Sequence, residues 1–183
     1  MNKEEALQEI ALEIENCDIC KVDKHGKAVP GEGNPDADVL FVGEAPGRTE
    51  AETGRPFIGR SGKLLRKLIN ESGLKEEEVY ITSPVKYLPD YITPKPSDIE
   101  HGFTHFGRQI EIIDPKIIVL LGRVACLAVL KQNVSVVLRH GEIIEDNGRK
   151  YFITVHPAAA LRFVKMKQTL LEDFIKLRSL VGN

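Results

Sequence analysis

The segment His156-Pro-Ala-Ala-Ala-Leu-Arg162 sets an imidazole, a rigid proline and a cation directly behind an apolar run, Tyr151-Phe-Ile-Thr-Val155. A histidine held at such a strand exit can donate a hydrogen bond from a neutral ring or exchange a proton near neutral pH. Gly43-Glu-Ala-Pro-Gly47 leaves a second apolar run, Val39-Leu-Phe-Val42, with two glycines around a carboxylate. That turn suits an anionic group approached by backbone N–H donors, and equally suits a plain tight turn. It lacks the Lys-Ser/Thr ending of a phosphate-binding loop, which counts against a nucleotide-phosphate binder. Cys17-Asp-Ile-Cys20 supplies two thiols, and His101 and His105 lie four apart on an expected helix. Together they form the donor set of a tetrahedral zinc site, although two leftover cysteines and two unpaired surface histidines account for the same letters.

These groups need a scaffold, and the chain is long enough for one. Its 183 residues, 42% hydrophobic, fit a single domain spanning 1–183 with one buried core. The net charge of -2 excludes a global positive field, so any nucleic-acid contact must come from a local basic patch. The N-terminus is charged and amphipathic, and no apolar run is long enough to span a bilayer; a cytoplasmic protein is expected. Three cysteines make no even disulfide framework, and Cys126 sits in an apolar stretch as a core residue.

Helical spacing of apolar residues predicts helices over Lys3–Glu15, from about Arg60 with Leu64, Leu65, Leu68 and Ile69 on one face, over Ser97–Ile113, and over Gln168–Leu180. Apolar runs predict strands at Val39–Val42, Val79–Ile81 and Ile117–Leu121, and Glu142–Ile144 with Tyr151–Val155 frame a hairpin turn of the Asn-Gly type. Buried strands alternating with helices imply an α/β fold with a mostly parallel sheet covered on both sides. In such sheets ligands bind outside the carboxyl ends of the strands. Three polar loops fall there: Gly43–Arg60, Ser83–Pro96 and His156–Arg162.

Gly31-Glu-Gly-Asn-Pro-Asp36, Val42-Gly-Glu-Ala-Pro-Gly47, Gly54-Arg-Pro-Phe-Ile-Gly59 with Gly62-Lys-Leu-Leu65, and the His156 motif follow one another in a fixed order and spacing. In this the chain resembles the thermostable, iron–sulfur branch of the uracil-DNA glycosylase superfamily, from the Cys17/Cys20 pair to the final helix. The resemblance implies a three-layer sandwich around a central, mostly parallel sheet, and hydrolysis of the base–deoxyribose bond of a flipped-out nucleotide in DNA carrying uracil or another deaminated base, within base excision repair. It implies a monomer without membrane association. By the same resemblance His156 donates to the uracil oxygen where negative charge develops, Phe57 is the platform on which the base stacks, and Gly43, Glu44 and Ala45 form the turn that contacts water and base. Glu44 or the loop backbone then positions the water. Glu50 matches a glutamate beside the base's C5 edge; its plain reading is a solvated loop charge. Arg55, Arg60, Lys63, Arg66, Lys67, Arg162, Lys165 and Lys167 are candidates for a phosphate-gripping patch. The apolar wedge that fills the gap in flipped DNA falls at Ala160 or Leu161.

Two places depart from the family pattern. Ser83 stands where an asparagine amide reads the base edge, and a freely rotating hydroxyl replaces a fixed donor–acceptor pair. Tyr87 and Gly102 stand where two of four cluster-ligating cysteines belong, so an ordinary four-cysteine [4Fe-4S] cluster cannot assemble within the chain. Zinc on Cys17, Cys20, His101 and His105, or no metal, are the alternatives that follow. A cluster-free homologue that binds DNA or a partner without cleaving is the rival to an active glycosylase.

Overall fold

The computed structural model describes residues 2–146 and 148–181. The helix α1 (Lys3–Asn16) starts at Asn2, whose side chain accepts from the Glu5 N–H while the Glu5 carboxylate accepts from the Asn2 N–H. This reciprocal cap satisfies two donors that the first turn would otherwise leave free. Then follow α2 (Asp18–Lys21), β1 (Lys24–His25), β2 (Glu32–Gly33), β3 (Val39–Val42), α3 (Arg48–Thr53), α4 (Arg60–Glu71), β4 (Val79–Thr82), β5 (Leu88–Pro89) and α5 (Pro96–Ile113). The second half holds β6 (Ile117–Leu121), α6 (Arg123–Leu130), α7 (Val136–Arg139), β7 (Ile143–Asp146), β8 (Arg149–Thr154), α8 (Pro157–Ala160) and α9 (Val164–Val181).

Six strands form the main sheet in the order β2-β4-β3-β6-β8-β7, and β1 pairs with β5 in a separate antiparallel ladder. The four central strands run parallel, with Val39 opposite Val79 and Ile117, and Ile118 opposite Tyr151. Every residue of β3, β4 and β6 is buried, which is why β3 and β6 read as unbroken apolar runs with no alternation and β4 departs from one only at Thr82. Both edges are antiparallel and short: β2 has two residues, and β7 ends in the exposed pair Glu145 and Asp146. Helices flank the sheet in two packed groups, α1, α2, α5 and α6 in one and α4, α8 and α9 in the other. Phe174 of α9 stacks on Phe41 of β3 with ring centroids 5.9 Å apart. Cys126 is fully buried in the main core, as expected.

Several short elements differ from the sequence expectation. The Cys17–Cys20 segment is the start of helix α2, the Gly43–Arg60 loop contains α3, and the His156–Arg162 loop contains α8. Four to six residues cannot sustain a helix on propensity alone, so these turns depend on tertiary contacts that no local pattern encodes. The Gly31–Asp36 motif supplies edge strand β2, and Leu12 of α1 is 59% exposed. The final helix begins at Val164, four residues before the expected start. The β7–β8 hairpin forms, while Asn147 of its turn lies outside the described residues.

Candidate active site

The loops after β3, β4 and β8 converge at the carboxyl edge of the parallel strands, where the fold class places ligands. The backbone there is tied together across strands: the Gly43 N–H donates to the Thr82 carbonyl at 2.9 Å, and the Gly122 N–H to the Thr154 carbonyl at 2.9 Å. Gly43 has no side chain because the Phe57 ring occupies that space; a Cβ at position 43 would lie 2.5 Å from Cζ. The same ring stands 5.7 Å from the His156 imidazole, centroid to centroid, at an interplanar angle of 33°. The Phe57 ring thus lies between Gly43 and His156 and brings together residues 113 positions apart in the chain.

Phe57 is held by its surroundings in a left-handed backbone conformation, φ 50°, that a bulky residue rarely adopts. Arg66 fastens it: Nε donates to the Phe57 carbonyl and an Nη to the Pro56 carbonyl, both at 2.9 Å. The Arg66 guanidinium is in turn anchored by Glu32 and Glu76, and Glu32 also takes both prongs of Arg55. Arg66, largely buried, is committed to this brace, which runs against the expectation that it grips phosphates, whereas Arg55 shares the Glu32 carboxylate but stays 60% exposed. Gly62 sits against the Phe57 backbone, where a Cβ would fall 1.9 Å from the carbonyl carbon.

His156 caps the N-terminus of α8, with Pro157 at the first helical position. Its Nδ1 accepts from the Ala158 N–H at 3.1 Å, which leaves the ring proton on Nε2 as a donor. Burial pushes the imidazolium down to about 4 from an ordinary value of 6.5, so the ring is neutral at physiological pH. The unfolded chain takes up this proton first as the pH falls, so the associated stability is present above about pH 6.5 and is lost between there and pH 4. Imidazole NMR of the folded protein should show the Nε2–H tautomer and a midpoint near 4; a midpoint at the ordinary value would contradict this buried, neutral donor.

Glu44 is half-buried on the same edge. Burial raises its carboxyl above the usual range, opposed by the positive charge of Arg123. A carboxylate of raised pKa is a better proton acceptor for a water than an ordinary surface glutamate. Arg123 was not legible as a site residue, yet its position right after Gly122 at the end of β6 lies on the ligand edge. Gly122, at φ 91°, lies so close to His156 that a Cβ at position 122 would stand 3.0 Å from the His156 Cβ.

Glu50 is buried and not a solvated loop charge: Oε1 accepts from the Ile58 and Gly59 N–H groups at 2.9 and 2.7 Å. It braces the segment that carries Phe57. Ser83 is buried, and its hydroxyl donates to the Val85 carbonyl at 2.8 Å, so only its oxygen lone pairs are left to meet a ligand. Lys86, missed by sequence reading, lies fully buried beneath this loop. Its ammonium donates to Thr82 Oγ1, Gln109 Oε1 and the Pro30 carbonyl at 2.8, 2.7 and 3.0 Å, and burial lowers it to about 7. Ala45 is half-buried against Val85, Ile99, Val124 and Ala128.

Beyond the pocket, Ala160 is buried in the core, which corrects its assignment as a wedge. Leu161 and Phe163 are 43% and 61% exposed beside Arg162, Lys165 and Lys167, and α8 packs on α4, whose outer face carries exposed Arg60 and Lys63. On the far group of helices, Cys17, Cys20, His101 and His105 come together with their donor atoms within 4.8 Å of one another. A four-thiolate cluster does not fit there. The Tyr87 hydroxyl donates to the Ile14 carbonyl at 3.2 Å, and the Gly102 backbone abuts the Pro84 carbonyl so closely that a Cβ would lie 2.1 Å from it.

A family model describing the Uracil DNA glycosylase superfamily matches residues 30–177, and the pocket edge described above lies within that span. The chain belongs to the uracil-DNA glycosylase superfamily. It is similar to the Type-4 uracil-DNA glycosylase of Sulfurisphaera tokodaii, at 39% identity over 96% of this chain and 85% of that one. Its identity to the Type-4 enzyme of Saccharolobus solfataricus is 41% over 95% of this chain and 86% of the other. For the Thermotoga maritima Type-4 enzyme the values are 38%, 98% and 96%. The matches run over 85%, 86% and 96% of these three relatives.

Proposed function

We propose that this protein is a monofunctional uracil-DNA glycosylase that opens base excision repair, acting as a single-domain cytoplasmic monomer on DNA containing uracil. The observation that carries this reading is the shared wall of Gly43, Phe57 and a neutral His156 at the ligand edge of the sheet. A flipped base stacks on Phe57. As the N-glycosidic bond breaks, its electron pair goes to the base, and His156 Nε2–H donates to the base oxygen where that charge collects. Water forms the new bond at the cation-like sugar carbon. Glu44 orients this water and accepts its proton, with the Gly43–Ala45 backbone beside it. Glu50 sets the loop geometry that narrows the pocket around the base.

Arg60, Lys63, Arg162, Lys165 and Lys167 grip phosphates, and Leu161 enters the stack in place of the extruded base. Ser83 widens the accepted bases to other deaminated forms, because a lone hydroxyl already engaged with Val85 reads the base edge less strictly than an amide. A weakened homologue that binds without cleaving is not favoured, a reading supported by Phe57 and His156 lying 5.7 Å apart and by Glu44 following directly on Gly43, which abuts the Phe57 ring. The test uses oligonucleotides carrying uracil, hypoxanthine or xanthine, followed by alkaline cleavage of abasic sites. Strand cleavage on the uracil substrate is expected, and intact uracil strands after long incubation with excess folded protein would end the proposal.

A further inference from the structure

We propose that Cys17, Cys20, His101 and His105 bind one zinc ion as a redox-inert structural site. His101 Nε2 lies 3.2 Å from Cys17 Sγ and 3.3 Å from Cys20 Sγ. All four donor atoms fall within 4.8 Å of one another. Tetrahedral zinc, with bonds of about 2.3 Å to sulfur and about 2.0 Å to nitrogen, sets neighbouring ligands roughly 3.5 Å apart. A cubane instead takes one thiolate on each of four irons and spreads its ligands over a wider shell. The observed spacing is that of a single ion.

An independent observation comes from His105. Both of its ring nitrogens are buried, and neither has a hydrogen-bond partner among the described residues. A buried polar atom without a partner is costly, and native structures rarely leave one. An ion at the meeting point of the four residues supplies what is missing. Glu13 Oε2 faces His105 Nδ1 at 3.7 Å, which leaves Nε2 for the metal and puts a carboxylate behind the ligating ring. Two thiolates, two neutral imidazoles and Zn2+ sum to zero charge, and binding releases both thiol protons to solvent. Such a neutral site is compatible with the apolar residues around it, Ile10, Ile14, Ala28 and Tyr87.

The site joins the α1–α2 corner to α5, and α5 carries Gly102 against Pro84, next to Ser83 of the pocket edge. Zinc thus buttresses the loop after β4 from behind and takes no part in bond breaking. S2N2 coordination selects zinc over harder cations. The full chain, purified without added metal, should be colourless and hold about one equivalent of zinc with neither iron nor sulfide in stoichiometric amount. Stripping it with a strong chelator should lower Tm by roughly 5–10 °C, reversed by adding zinc. Cobalt(II) added to the stripped protein should give the visible bands of a tetrahedral, thiolate-bound ion. Cys17→Ser and His105→Ala should abolish stoichiometric zinc, while Cys126→Ser should retain it. The cobalt titration needs no variant, so it decides the matter even where a ligand substitution prevents folding. Stoichiometric iron with matching sulfide, or a stripped protein that binds neither zinc nor cobalt, would overturn the proposal.

Discussion

Replacing His156 with alanine should slow uracil release on the order of a hundredfold under single-turnover conditions, the range seen when one donor to a developing oxyanion is removed. The ring is neutral, its Nδ1 is spent on the Ala158 N–H, and its Nε2–H, without a partner among the described residues, can meet the base. The same substitution removes the cap of α8, worth about 1 kcal/mol, so thermal melts must run beside the kinetics. His156→Asn separates the two effects, since its amide can still cap the helix while its shorter reach cannot place a donor at the Nε2 position. A rate within a few-fold of the parent for His156→Ala, with the fold intact, would remove His156 from the mechanism.

Gly62→Ala should destabilise the protein by about 3 kcal/mol, the upper part of the range for forcing atoms into a packed site. Its Cβ would meet the Phe57 carbonyl carbon at 1.9 Å and the oxygen at 2.1 Å, backbone atoms that a side-chain rotation cannot move aside. In a chain of this size such a loss lowers Tm by roughly 6–12 °C, which urea unfolding can check independently. Uracil release should fall below what the residual folded fraction explains, because the platform ring moves with its backbone. Gly43→Ala offers the complementary case: its Cβ meets the ring at Cζ and Cε2, so activity should suffer more than stability. If Gly62→Ala melts like the parent, the left-handed Phe57 conformation is not held from below.

Much of this was readable in advance where a single physical cause acts locally. Val39–Val42 and Ile117–Leu121 appear in the structure with the bounds expected from their apolar runs, because burial on both faces removes any need for polar alternation. Helix α5 differs from expectation by one residue, Pro96 at its first position. His156 and Phe57 were legible through the motifs around them, and the structure brings them to one wall. What the sequence concealed depends on partners distant along the chain. The Arg66–Glu32 bond spans 34 residues, and nothing near Arg66 signals that its charge is already used. Glu50 looks like a surface acid because its partners are backbone N–H groups, which carry no letter. Ala160 and Leu161 are neighbours of similar apolar type, and only the turn of α8 decides that one faces the core and the other the solvent.

The two margins of the main sheet bear on a different property, the protein's behaviour when crowded. An exposed strand margin offers unpaired N–H and C=O groups on which a second chain can polymerise. Here one margin is only the two residues of β2, whose Glu32 is locked by two arginines, and the other, β7, finishes in the uncovered carboxylates of Glu145 and Asp146. Copies brought close together along one stretch of damaged DNA would meet a bulky ion pair at one side and like charge at the other, and the sheet of one molecule has no flat rim on which to extend that of the next.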